Sequence, residues 1–189
     1  DEILEQTKKY IEDRKPQVTI FEGAATSDPV PVEPYTNSLK KTIEFFGREE
    51  KGRFRFVTKY SDVDSLLDAE HNNHTEIRFS INTPRIINEH EHYTASANKR
   101  IESAVKLARA GYQIGFIIAP VFLYEGWKEE YKNLIISIKE ALPKDFDKKI
   151  IFEVISHRYT TKAKNRILEI YPDTLLPMEN EDRKFKYGQ

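Results

Sequence analysis

Short apolar runs alternate along the chain with longer stretches in which apolar residues recur every three to four positions. The first kind suits a pleated strand, the second an amphipathic helix. Ile3, Leu4, Thr7 and Ile11 share one helical face across residues 1–14, which Pro16 closes. Val18-Thr19-Ile20-Phe21 is the first short run, and its β-branched and aromatic residues predict a buried strand. Bulk falls away through Glu22, Gly23 and two alanines, and Thr26, Ser27 and Asp28 follow. The strand therefore ends at a roomy polar mouth, with Pro29 and Pro31 delaying the next helix.

The same sentence repeats four more times. Leu39, Ile43 and Phe46 predict a helix over 35–46, and Phe54 to Val57 a strand ending at Thr58-Lys59. Asp62 reads as the N-cap of a short helix reaching Ala69, with 70–75 as loop. Ile77 to Ile81 alternates and stops at Asn82; residues 84–93 read as a polar loop. Ile101, Ala104, Val105 and Ala108 stripe a helix over 96–110, which Gly111 ends. Ile114 to Ala119 is the most apolar strand. Trp127, Tyr131, Leu134, Ile135, Ile138 and Leu142 give the strongest helical stripe. A fifth strand over 149–155 leads to His157 and Arg158, and a last helix spans 161–170. Residues 1–172 thus form one core, and 173–189 a polar tail with the basic run Arg183, Lys184 and Lys186. Strict alternation of strand and helix predicts an α/β fold with a parallel sheet. Five units are too few for an eight-stranded barrel and fit an open sheet or a partial barrel, whose function gathers at the carboxyl ends of the strands.

Composition narrows the classes. An apolar fraction of 39% over 189 residues can build a core, and no apolar run is long enough to span a membrane. The acidic, amphipathic start is no signal peptide. The absence of cysteine excludes disulfides, thiolate metal ligands and a cysteine nucleophile. A net charge of −1 leaves nucleic-acid contact to a local patch, for which the terminal basic run is the best candidate. A first residue of Asp rather than Met suggests a processed product or an excised piece.

The strand ends carry the candidate chemistry. They offer Thr26, Ser27 and Asp28; Thr58, Lys59 and Tyr60; Ser80 and Asn82, which period two places on one face; Ala119-Pro120 with Glu125; and His157, Arg158 and Tyr159. A mouth built from these suits a ligand bearing a carboxylate and hydroxyls, with Lys59 as the point charge. Polar residues also end strands wherever a chain surfaces. Lys59 alone would equally serve a Schiff-base lyase or isomerase, and the set would serve a module that binds without chemistry. Glu89 to His92 and the His71/His74 pair contain metal-ligating types, but without an HExxH frame they read as solvated loops. No GxGxxG or GxxxxGK[ST] glycine loop occurs. His157 reads as a hydrogen-bonded or ligand-contacting residue before it reads as a general base.

Six segments together resemble the spore photoproduct lyase family: EGAATSD (22–28), RFVTKY (55–60), VDSLLDAEHN (63–72), RFSIN (78–82), AGYQIGFIIAPVFLYEGW (110–127) and FEVISHRYTTKAK (152–164). They run through essentially the whole chain in the family's order. The resemblance implies a partial (β/α) barrel of the radical S-adenosylmethionine (SAM) type, in a cytoplasmic DNA-repair lyase. A [4Fe-4S] cluster there cleaves SAM to a 5′-deoxyadenosyl radical, which takes a hydrogen from the thymine dimer of spore DNA. By motif, Ser27, Lys59 and Ser80 would hold SAM, with Asn82 and the Ala119 backbone nearby. His157, Arg158, Arg183 and Lys184 are the candidates for DNA, and no membrane is implied. Two departures matter. The family's CxxxCxxC cluster loop and first barrel strand are expected upstream of Asp1, so the chain reads as a core piece inactive on its own. At Ala25 the family has the cysteine that returns a hydrogen atom to the product radical. The altered stretch PVPVEPYTN (29–37) favours a natural relative over an engineered substitution.

Overall fold

A computed structural model describes residues 2–24 and 26–179. Five strands lie in sequence order in one sheet, β1 (Thr19–Gly23), β2 (Gly52–Thr58), β3 (Thr75–Ile81), β4 (Gln113–Val121) and β5 (Ile151–Ser156). All four pairings are parallel. The sheet curls into a half-barrel, so the expected α/β partial barrel of five parallel strands is the fold observed. The helices are α1 (Glu2–Asp13), α2 (Glu33–Thr36), α3 (Ser38–Arg48), α4 (Pro84–His90), α5 (Ala97–Arg109), α6 (Trp127–Ala141) and α7 (Thr161–Ile170). No helix among the described residues is long and apolar enough to cross a membrane.

Period two gives the sheet two faces of different chemistry. Phe54 and Phe56 of β2, Ile77, Phe79 and Ile81 of β3, and Ile114, Phe116 and Ile118 of β4 are buried and belong to the main core. Leu39, Ile43 and Phe46 of α3 and Ile101, Ala104 and Leu107 of α5 join the same core. Phe46 stacks on Phe54 with ring centroids 5.3 Å apart. The alternate positions carry Glu22, Arg55, Arg78 and Glu153, which line the concave face. Gly115 gives Arg78 room on that face, because a Cβ there would stand 2.9 Å from Arg78 Cγ.

Several boundaries differ from expectation. The region 84–93 is not all loop: Thr83 accepts the Ile86 N–H at 3.4 Å, Pro84 opens α4, and Ile86 and Ile87 are buried. Asp62 starts no helix; only a 3-10 turn over Asp64–Leu66 follows. A 3-10 turn over Val30–Val32 and α2 precede α3, and Asn37 at φ 49° separates the two helices. β4 runs past Ala119 to Val121 through a bulge. β1 is not the buried strand its residues suggest. It edges the described sheet, and Ile20 is 59% exposed.

A polar cavity at the carboxyl ends of the strands

A cavity of about 660 Å³ occupies the concave face, within the range of small-molecule sites. Thr26, Ser27, Asp28, Lys59 and Ser80 line its mouth, at the carboxyl ends of β1, β2 and β3. Asp28 ties two of these ends together. Its Oδ2 accepts the Lys59 backbone N–H at 2.7 Å and the Thr58 hydroxyl at 3.0 Å, while its Oδ1 accepts the Val30 N–H at 3.1 Å. Lys59 Nζ reaches Glu91 Oε1 at 3.0 Å. Glu91 Oε2 in turn accepts from Arg100 Nη2 at 2.6 Å.

A charge lattice forms the floor. Glu22 accepts from Arg55 Nε at 2.5 Å and pairs closely with Arg78, which also reaches Glu153 at 3.4 Å. Arg78 is buried, and its Nε has no hydrogen-bond partner. Two cations against two carboxylates leave this floor neutral. The sequence signal was a charged residue at alternate positions between large apolar ones, in FRF (54–56) and IRF (77–79).

Of the residues expected at the site, Ser27, Lys59 and Ser80 meet in the cavity. Asn82 does not share the face of Ser80. It is fully buried, donates to Pro120 O at 2.8 Å, and accepts from the Tyr131 hydroxyl at 2.8 Å and from Thr83 N–H at 2.9 Å. Tyr131 also accepts the Phe122 N–H at 3.1 Å. Burial raises the pKa of the Tyr131 hydroxyl, so it stays a donor to Asn82. Asn82 and Tyr131 thereby fix the end of β4, where Ala119 and Pro120 lie. Next to them the Tyr124 hydroxyl lies 2.8 Å from Thr83 Oγ1 and donates to Glu130 at 2.9 Å; burial pushes its pKa up to about 12.

His157 sits apart from the cavity lining, between Phe122 and Tyr159 with ring centroids 4.7 and 5.6 Å away. Its Nε2 is buried without a partner, and burial lowers its pKa. Arg158 and Glu125 are exposed. Ala25, Arg183 and Lys184 lie outside the described residues. The remaining histidines have other surroundings. His71 stacks on Tyr112 at 3.9 Å and meets Ala110 O at 3.1 Å; His74 meets Phe46 O at 2.7 Å. Among the described residues no group of three or more His, Cys, Asp or Glu is placed to hold a metal. Glu91, Arg100, Arg78, Glu22, Glu153 and Tyr131 are the site residues that strand-end reasoning missed.

Comparison with known proteins places this geometry. The family model for spore photoproduct lyase matches residues 1–189. The spore photoproduct lyase of Clostridium acetobutylicum is 59% identical over 100% of this chain and 55% of its own length. That of Bacillus subtilis is 47% identical over the same shares. The chain therefore spans about half the length of the curated relatives it matches. A solved structure of spore photoproduct lyase complexed with dinucleoside spore photoproduct superposes with a TM-score of 0.90 at 46% identity, over 99% of this chain and 55% of that one. A mutant of spore photoproduct lyase with bound AdoMet and dinucleoside spore photoproduct gives the same TM-score, identity and coverage. Taken with the curled parallel sheet, the match over all 189 residues shows that the chain belongs to the spore photoproduct lyase family.

Proposed function

We propose that this chain forms the SAM-holding wall of a radical-SAM lyase that repairs the spore photoproduct in DNA. One observation carries the reading. Ser27, Lys59 and Ser80, the three residues the family resemblance assigns to SAM, converge on one cavity at the carboxyl ends of the strands. A related structure that matches 99% of this chain contains both AdoMet and the dinucleoside lesion, which supports the same ligands here.

The residues fit the ligand's chemistry. Lys59 offers an ammonium to the methionyl carboxylate, and the hydroxyls of Ser27 and Ser80 offer hydrogen bonds beside it. Asp28 fixes the Lys59 backbone, while Asn82 and Tyr131 fix the strand end that carries Ala119. Bound SAM, on receiving one electron from the family's reduced [4Fe-4S] cluster, would split into methionine and a 5′-deoxyadenosyl radical able to take a hydrogen from the lesion. The 189 residues include no cysteine, so none of them is a thiolate ligand of the family's [4Fe-4S] cluster, and the chain by itself makes no radical. His157, Arg158, Arg183 and Lys184 remain the candidates for the DNA side. A Schiff-base role for Lys59 is the less favoured reading, because its Nζ is engaged by Glu91 at 3.0 Å.

Calorimetry with SAM tests the reading. This chain should bind weakly, near about 1 mM or ~4 kcal/mol, and Lys59→Ala and Ser80→Ala should each abolish the heat. Binding that neither substitution alters would overturn the assignment. After incubation with iron and sulfide the isolated chain should release no 5′-deoxyadenosine.

A further inference from the structure

The mouth of the cavity owes its charge to residues outside the strands. Arg100 of α5 is fully buried, and its guanidinium is spread over four acceptors. Nε donates to Ala95 O at 2.8 Å, Nη1 to Ser80 O at 2.7 Å, and Nη2 to Thr94 Oγ1 at 2.8 Å and Glu91 Oε2 at 2.6 Å. Arg100 thus grips the end of β3 and the loop after α4 together. The loop is tied to the end of β2 as well, through Ala95 N–H to Lys59 O at 3.1 Å. Glu91 cannot swing away from this frame. Its side chain is 8% exposed, and its second oxygen meets Lys59 Nζ at 3.0 Å.

We propose that Glu91, anchored by Arg100, is the positioning residue that holds the Lys59 ammonium at the cavity mouth for a ligand carboxylate. The inference rests on the SAM reading of the site. Lys59 and Arg100 share the Glu91 carboxylate, and the Asp28 carboxylate accepts the Lys59 backbone N–H, so the charges around the mouth balance. Of the two cations on Glu91 only Lys59 is open to the cavity, because Arg100 is sealed inside. A ligand carboxylate at this mouth therefore finds its cationic partner in the Lys59 ammonium. Lysine's four-carbon stem is flexible, so an untethered ammonium would lose rotamer freedom on binding. Glu91 makes that loss at folding instead, which is preorganisation.

The test combines binding with a ligand-free signal. SAM affinity is measured for the chain, Glu91→Gln, Lys59→Ala and the double variant. Glu91→Gln should weaken binding about fivefold, the size of a half-exposed ion pair, and should add nothing once Lys59 is gone. Reductive ¹³C-methylation gives the second readout. Lys59 should show two inequivalent methyl signals in the parent chain and one averaged signal in Glu91→Gln. Glu91→Asp keeps the charge beside Arg100 but falls short of Lys59, so it carries the test where Glu91→Gln unfolds. Loss of binding in Lys59→Ala with parental binding in Glu91→Gln overturns this inference and leaves the SAM reading intact. No binding by the parent chain counts against the SAM reading, and the methyl signals then decide the tether alone. A Lys59 signal indifferent to Glu91 refutes it.

Discussion

His157 shows how one ring can set the pH response of the strand-end layer. It lies between two aromatic rings with Nε2 buried and unpartnered. Burial lowers its pKa below the usual value near 6.5; the Pro177 carbonyl works the other way, and the nearby His90 adds to the lowering. His71 shifts in the same direction, mainly through burial. The native protein thus takes up these protons less readily than the unfolded chain does. Below about pH 6.5 the unfolded state binds more protons, so stability is complete above that pH and falls as pH drops. Thermal unfolding should therefore shift to lower temperature between pH 7.5 and 5, and His157→Phe should flatten the slope. An unchanged slope would mean that the ring takes up its proton as easily folded as unfolded. Lys59 and Ser80 were legible in the sequence because each ends a strand of clear period. Glu91 was not, since it stands in a run of charged and imidazole side chains that reads as solvent-facing. What buries it is Arg100, nine positions later on another element, and no local pattern encodes that meeting. Asn82 misled for a different reason: β3 ends at Ile81, so the alternation that would align it with Ser80 has already stopped.

At the scale of elements, the entry to α3 depends on a buried carboxylate. Glu33 is 3% exposed, and its oxygens accept the Leu39 N–H at 2.7 Å and the Lys40 N–H at 3.1 Å. These are orphan donors of the first turn, and a negative charge there also opposes the positive end of the helix dipole. Glu33→Ala should cost about 1–2 kcal/mol in urea unfolding, in the range of a lost cap, without removing α3. A loss under about 0.3 kcal/mol would mean that water replaces the carboxylate freely. Helix α3 itself was legible from Leu39, Ile43 and Phe46. The cap was not, because Glu33 sits six residues before the first N–H it accepts, beyond the reach of the usual three-residue capping spacing. Helix α4 was missed although Thr83-Pro84 is a proper start signal, because polar residues at 88–92 outweighed Ile86 and Ile87.

At the scale of the whole molecule, the half-barrel presents one charged wall and one apolar wall. Its parallel sheet was readable from alternation and its partial barrel from the family resemblance, whereas the exposure of Ile20, Phe152 and Val154 on the outer strands was not. Hydrophobicity says that a strand wants cover, not which segment supplies it. The relatives are nearly twice as long as this chain, which makes a segment exchange the direct functional experiment. The 189 residues can replace the matching segment of the Clostridium acetobutylicum enzyme, to which they are 59% identical. The family resemblance puts the hydrogen-donor cysteine at the position of Ala25 in this chain, and a methyl C–H is a far stronger bond than a thiol S–H. The exchanged enzyme should therefore release 5′-deoxyadenosine yet restore few thymines for each molecule released. Ala25→Cys in the same background should raise that ratio at least about tenfold, equal to about 1.4 kcal/mol on the barrier of the hydrogen-return step. Equal ratios with alanine and cysteine would show that another group in this chain returns the hydrogen. Failure to form any 5′-deoxyadenosine would instead locate the fault at the Ser27, Lys59 and Ser80 wall, before the lesion is touched.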